Sequence, residues 1–70
     1  MDDMTTYRIK VRGQVDESDL NVMSPMKMTV VQADTAGTLF TVYTDQSGLI
    51  GLMRHLHGRG LVLLSVNNES

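Results

Sequence analysis

Side chains alternate in type along residues Tyr7 to Val15, with apolar residues or glycine at the odd positions and basic or amide residues at the even ones. A period of two predicts a β-strand with one face buried and the other in water. A half-buried strand is not stable alone, because its apolar face must pack on something. The chain must therefore contain further strands and an element that covers their apolar face.

A hairpin is predicted by two segments rich in threonine and valine, Met26 to Ala33 and Thr38 to Thr44, which flank the sequence Asp-Thr-Ala-Gly. Asp at the first position and Gly at the fourth favour a type I turn. A loop from Thr35 to Gly37, with Gly37 left-handed, separates polar from apolar side chains, whereas a four-residue loop would mix them on both faces. In the preferred register, Met26, Met28, Val30, Phe40 and Val42 share the buried face, and Lys27, Thr29, Val31, Leu39, Thr41 and Tyr43 share the other.

An amphipathic helix is predicted after the hairpin, where apolar residues recur at i, i+3, i+4 and i+7. Asp45 is a suitable N-cap, and Gly58 or Gly60 can end the helix in a left-handed conformation. The resulting length is roughly three and a half turns. The apolar stripe consists of Leu49, Leu52, Met53 and Leu56.

Two segments complete the chain. The polar stretch Asp16 to Pro25 fits a short helical turn or an irregular connection. The apolar run Leu61 to Val66 has the length of a strand, and we expect that either both of its faces are covered or it lies against a partner. The predicted fold class is α+β, with a four-stranded, mostly antiparallel sheet and one long helix on one face. Residues 1–70 are expected to form a single domain with an ordered core from about 6 to 67.

The periods of the individual segments together predict the core. Replacing a core residue such as Leu52 or Phe40 by alanine is expected to cost about 2 to 5 kcal/mol. The predicted core residues are Tyr7, Ile9, Val11, Val15, Met26, Met28, Val30, Phe40, Val42, Leu49, Leu52, Met53, Leu56, Val62, Leu64 and Val66.

A chain of 70 residues without cysteine cannot use disulfides or a cysteine-ligated zinc to support a small core. Self-association is the remaining way to bury more apolar surface, so a homodimer or larger homo-oligomer is expected. The sequence has no apolar run of roughly 20 residues, and its first residues are acidic and polar where a secretory signal would be basic and then apolar. We therefore expect a cytoplasmic protein that does not act at a membrane.

Two parts of the sequence, YRIKVRGQVD from Tyr7 and DQSGLIGLMRHLHGRGLVLLSV from Asp45, resemble a family of small bacterial proteins. In that family a Y-x-I-x-V-x-G strand is followed by a DQ-x-x-L-x-G-L helix and a G-L-x-L-L-S-V strand. The resemblance spans roughly half of the residues, at both ends of the chain. It implies a fold and no catalytic residue.

A second resemblance, to the last part of ACT domains, rests on Asp45, Gly48, Leu49 and Gly60. In these regulatory ligand-binding modules an aspartate and a glycine open a helix that returns through a glycine to an apolar strand. Both resemblances imply a ferredoxin-like sheet, truncated here because Asp16 to Pro25 is too short for a full first helix.

The residues offer little for catalysis or metal binding, so no enzyme activity, cofactor or metal site is predicted. His55 and His57 are two positions apart, about 200 degrees around a helix, and cannot jointly bind one ion. The acidic cluster of Asp16, Glu17 and Asp19 lacks the pattern of a calcium loop and is typical of a solvated loop.

One surface has a distinctive composition. Of the six basic residues, four are predicted on the sheet face opposite the helix: Arg8, Lys10, Arg12 and Lys27, beside Tyr43. This face could be a self-association surface, a nucleic-acid platform, or a solvated polar face. The predicted function is accordingly a non-catalytic dimerising or small-ligand-binding regulatory module, and the alternative is a small nucleic-acid-binding protein.

Overall fold

The computed structural model describes residues 4–23 and 26–69. Four strands form one sheet in the order β2-β3-β1-β4, and every neighbouring pair of strands is antiparallel. The predicted α+β class with a four-stranded antiparallel sheet is confirmed. The elements are β1 (Thr5–Arg12), α1 (Glu17–Met23), β2 (Met28–Ala33), β3 (Gly37–Thr44), α2 (Gln46–Gly58) and β4 (Leu63–Asn68).

Both helices contribute to a single core on one face of the sheet. Leu20 of α1 is wholly buried there, although it stands in a polar segment and was not predicted to be buried. The connection between β1 and β2 is thus a seven-residue helix rather than a single turn. Pro25, which was expected to close this connection, lies outside the described residues. The buried core consists of Ile9, Val11, Leu20, Met28, Phe40, Val42, Leu49, Leu52 and Leu56.

The hairpin of β2 and β3 has the predicted faces but a different turn. Asp34 and Gly37 are hydrogen-bonded to each other (Asp34 N to Gly37 O, 3.0 Å), and the carboxylate of Asp34 accepts from the amides of Ala36 and Gly37. Gly37 does not have a positive φ, so the predicted left-handed Gly37 is wrong. The register shifts by one residue between Val30 and Gln32, and this β-bulge at Val31 returns the apolar side chains to the core.

A second bulge corrects the prediction for the last strand. Val11 is opposite Leu63 while Lys10 is opposite Ser65, so Leu64 is the extra residue. Because of the bulge, the side chain of Leu63 points toward the core, and the side chains of Val62 and Leu64 do not. The residues predicted to be buried here, Val62, Leu64 and Val66, are 47%, 44% and 36% exposed, whereas Leu61 and Leu63 pack on the core.

The ends of α2 confirm two of the predicted caps. The Asp45 carboxylate accepts a hydrogen bond from Gly48 N at 2.7 Å. At the other end Gly60 has a φ of 86°, and its amide and that of Leu61 donate to carbonyls of the last turn, whereas Gly58 remains helical. Within the residues that the structure describes, no helix is long and apolar enough to cross a membrane.

Thr38 ties the end of β3 to the segment after β1. Its wholly buried hydroxyl donates to Gly13 O at 2.7 Å and accepts from Val15 N at 2.9 Å. Gly13 has a φ of 83°, which few other residues adopt, so β1 ends at Arg12 rather than continuing to Val15. One side chain therefore satisfies two backbone groups of a turn.

We expect Thr38→Val to lower the free energy of unfolding by about 1 to 3 kcal/mol, because it leaves a backbone donor and acceptor without their partner. Thr29→Val, at an exposed position of β2, is the matched control and should change stability little. Urea denaturation measures both variants. Equal stability of Thr38→Val and the parent would contradict the role given to this hydroxyl.

Candidate functional site

The sheet face opposite the two helices, here called the open face, is not covered by any element in the described ranges. Cross-strand pairing arranges its side chains in rows. Arg8 is opposite Thr41 on one side and Asn67 on the other, and the next row joins Lys10 to Leu39 and Ser65. The open face comprises Thr6, Arg8, Lys10 and Arg12 of β1, Thr29 of β2, Leu39, Thr41 and Tyr43 of β3, Ser65 and Asn67 of β4, and Lys27 just before β2.

The structure brings the predicted basic residues together on this face. Arg8, Lys10 and Arg12 project from β1 and are exposed, and Lys27 is exposed at the far side of the sheet. Arg8 forms an exposed salt bridge with Glu69, Nε to Oε1 at 3.7 Å. In residues 4–23 and 26–69 no other ion pair involves these four cations, so three of them have no acidic partner.

The backbone of Gly37 fixes where Lys10 lies. A Cβ added to Gly37 would come within 2.8 Å of Lys10 Cε, which shows that the lysine stem crosses the bare glycine. The aliphatic part of Lys10 therefore packs on the neighbouring strand while its ammonium group stays in water. Beside it a small hollow of about 70 Å³ is lined by Lys10, Gln32, Asp34, Gly37 and Leu39.

A larger and open depression of about 400 Å³ lies at the other end of the open face. It brings Lys27 and Tyr43 together, as the sequence predicted, and adds three threonine hydroxyls. The alternation of β2 and β3 already placed two of these threonines on the outward face, but only the strand order shows that Thr6 joins them. The lining residues are Thr6, Met26, Lys27, Thr29, Thr41, Val42 and Tyr43.

Tyr43 is the most exposed apolar side chain of the sheet, with 63% of its surface in water. The chain has three aromatic residues, and the other two, Tyr7 and Phe40, belong to the helix-covered face. Tyr43 is opposite Thr6 and therefore a diagonal neighbour of Arg8. The aromatic ring of Tyr43 thus lies between the positions of two cations, Lys27 and Arg8, on the open face.

The two edges of the sheet differ. On β2 the amide of Val30 points away from β3 and donates to Glu17 Oε2 at 2.8 Å, so a side chain of the short helix α1 binds this edge at one point. On β4 the hydrogen bond from Glu69 N to Thr6 O fixes which backbone groups point toward β1. The backbone N–H and C=O groups of Asn67 and Ser65 point toward β1, and the amide of Val66 points outward. No strand in the described part of the chain pairs with this outer side of β4.

The histidines and acidic residues do not assemble into a site. Among the described residues, no three histidine, aspartate or glutamate side chains come close enough to hold a metal ion. His57 is exposed, and His55 is half-buried, with its Nε2 atom buried and without a hydrogen-bond partner among the described residues. Of the acidic cluster, Glu17 has the structural role just described.

These features define the chain as a small α+β domain whose open sheet face carries cations around one aromatic ring. Residues 6–67 match DUF8691, a domain of unknown function, and the chain belongs to this family. No curated protein and no solved structure gives a significant match.

Proposed function

We propose that this chain is a non-catalytic binding module that works as a homodimer, with two copies joined through the outer edge of β4. The β-α-β-β-α-β order and the sheet order β2-β3-β1-β4 support a ferredoxin-like arrangement, in which β2 and β4 are the two edges. The observation that carries the proposal is that a side chain of α1 binds an outward amide of the β2 edge, whereas no described residue is seen to bind the outer side of β4.

Exposed edge strands tend to pair with other chains, and proteins prevent this with charges, bulges or covering elements. The β2 edge has a bulge at Val31 and a carboxylate, Glu17, bound to its outward amide at Val30. The β4 edge has a bulge at Leu64, but Leu61 to Asn68 contains no charged residue and no proline. Because β2 (Met28–Ala33) also lacks charged residues and proline, the carboxylate contact at Val30 is what favours pairing at β4 rather than at β2.

Several exposed apolar side chains lie together at the β4 edge. Val62, Leu64 and Val66 are each more than a third exposed, and all three belong to β4 or directly precede it. In a dimer related by two-fold symmetry the same side chains from both copies would meet, which doubles the apolar area removed from water. A chain near the lower size limit for an independent core gains most from such burial.

Charge also favours the edge over the open face as the contact between copies. Two open faces stacked on each other would bring Lys10, Arg12 and Lys27 of one copy against the same cations of the other. If β4 of one copy pairs antiparallel with β4 of the other, around a two-fold axis perpendicular to the sheet, these cations do not come together. It places both helix layers on one side of a continuous sheet and both open faces on the other.

Sedimentation equilibrium at micromolar concentrations is the test of this proposal. The parent should have the mass of a dimer, and Leu64→Lys should raise the dissociation constant at least about tenfold, because a lysine would lose water in the contact. Val31→Lys is the matched control, since Val31 is an exposed apolar residue at the bulge of the other edge strand, and it should remain dimeric.

A monomer mass for the parent over the whole concentration range would refute the proposal. Equal weakening by Leu64→Lys and Val31→Lys would also contradict it, because the two lysines lie at opposite edges of the sheet. Thermal melts of both variants show whether each remains folded under the conditions of the measurement.

A further inference from the structure

We infer that the open face binds single-stranded nucleic acid, with phosphates along the cations of β1 and a base against Tyr43. This inference goes beyond dimerisation and uses a different surface of the sheet. A protein that is monomeric yet binds oligonucleotide would refute only the dimer. A dimer that binds none would refute only this inference.

The arrangement of the cations favours a linear polyanion over a compact anion. Arg8, Lys10 and Arg12 occupy alternate positions of one strand, so their Cα atoms are about 6.6 Å apart in a straight row. A single phosphate could contact one or two of them, whereas a chain of phosphates can contact all three. The row lies on a sheet, so its spacing is already fixed before binding and little order is lost.

The acidic residues near the open face do not neutralise this row. Glu69 forms an exposed pair with Arg8 at 3.7 Å, and exposed pairs of this kind contribute little in water, so a phosphate can compete for the guanidinium. Asp34 lies beside the small hollow near Lys10 but makes no ion pair with it within 4 Å in the described structure. The chain has a formal net charge of −2, yet this face is cationic.

The depression around Tyr43 fits one nucleotide. Its volume of about 400 Å³ lies within the range of small-ligand sites, roughly 300 to 1,000 Å³. Tyr43 offers a ring face for stacking, Lys27 offers a charge, and the hydroxyls of Thr6, Thr29 and Thr41 offer hydrogen bonds to base edges or sugar. The depression is open along the sheet, so a chain can enter and leave it.

The geometry favours single strands over duplex. A base can stack on Tyr43 only when it is free of its own neighbours, as in single-stranded nucleic acid. A flat sheet with one ring also does not fit into a duplex groove the way a helix does. Stacking on a ring accepts any base, so binding should depend weakly on sequence.

The first test is fluorescence anisotropy with labelled oligouridylate or oligothymidylate of about 12 nucleotides. The parent should bind at about 50 mM salt and lose at least about tenfold in affinity at about 200 mM, since each neutralised phosphate adds about −0.7 to the slope of log affinity against log salt. Absence of binding at the lower salt concentration would overturn the inference.

A matched pair of double variants shows whether the open face is responsible. Lys10→Gln with Arg12→Gln should weaken binding at least about tenfold and make the salt slope shallower by roughly 1.4, for two lost phosphate contacts. Arg54→Gln with Arg59→Gln removes the same charge from exposed positions of α2 and its C-cap, and should bind like the parent. Equal weakening by both pairs would show that only net charge matters, which overturns the inference.

Variants of Tyr43 distinguish the binding of nucleic acid from the binding of other polyanions. Tyr43→Ser should lower affinity by about tenfold, whereas Tyr43→Phe keeps the ring and should retain it. Position 43 is exposed, so the melting temperatures of both variants should stay close to that of the parent. If inorganic polyphosphate binds as tightly as the oligonucleotide and Tyr43→Ser has no effect, the face is a general polyanion surface and the inference is wrong.

Discussion

Phe40→Ala will lower the free energy of unfolding by about 3 to 5 kcal/mol, a large part of the total stability expected for a small domain. Phe40 is the largest fully buried side chain of the core. It lies on a central strand, opposite Ile9 on one side and Val30 on the other, so a cavity there cannot be filled from solvent. Urea or thermal denaturation measures the change.

Variants of α2 serve as comparisons. Leu52→Ala, at a position 1% exposed, should cost about 2 to 5 kcal/mol for the same reason. Ile50→Ala lies on the same helix at a position 43% exposed and should change stability by less than about 0.5 kcal/mol. If Phe40→Ala or Leu52→Ala melts at the temperature of the parent, the core described above is wrong.

Replacing each of two glycines of α2 by alanine will change the stability of the protein in opposite directions. Gly48→Ala should destabilise the protein by about 2 kcal/mol or more, because a Cβ there would overlap Thr44 Oγ1 and come within 3.2 Å of Asp45 Oδ1. Thr44 is only 5% exposed, so its side chain has little room to move. The substitution therefore disturbs the cap that begins the helix.

Gly51→Ala should instead stabilise the protein by about 1 kcal/mol, the usual gain from replacing glycine inside a helix. A Cβ at Gly51 meets no atom within 4 Å, so nothing opposes that gain. Changes of the same sign in thermal melts of the two variants would contradict the geometry described for the start of α2.

Regular segments of this fold could be predicted because their side chains follow one period throughout. The alternation of β1 and the stripe of α2 placed Ile9, Val11, Leu52 and Leu56 in the core, and the structure confirms each of them. Capping by Asp45 was equally predictable, since it depends only on the next few residues. In these places the local pattern and the tertiary packing agree.

The bulges could not be predicted, because each one depends on a partner strand as well as on its own sequence. The turn at Asp34 alone would put Val31 opposite Phe40. Because Val31 is an extra residue, Val30 is opposite Phe40 instead, and the apolar side chains of β2 face the core. In β4 nearly every residue is apolar, so the pattern could not show whether Leu63 or Leu64 faces the core. Leu20 was missed for a different reason, because the short segment around it shows no clear helical period.

The candidate surface was predictable in its residues but not in its shape. Arg8, Lys10 and Arg12 share a face by alternation alone, and Tyr43 follows from the hairpin register. The depression beside Tyr43 and the difference between the two edges depend on strand order, because Thr6 becomes a neighbour of Tyr43 only when β1 lies beside β3. Local periodicity contains no information about strand order.

The central place of β1 also determines the order in which the chain can assemble. The partners of β2 lie close by in the sequence, so the hairpin closes a short loop, whereas Tyr7 must find Asn68 at the far end of the chain. Closing longer loops costs more chain entropy, and folding slows as native contacts become more distant. During synthesis β1 therefore leaves the ribosome before the other three strands but acquires its second neighbour last, because β4 is the last of the four to be made.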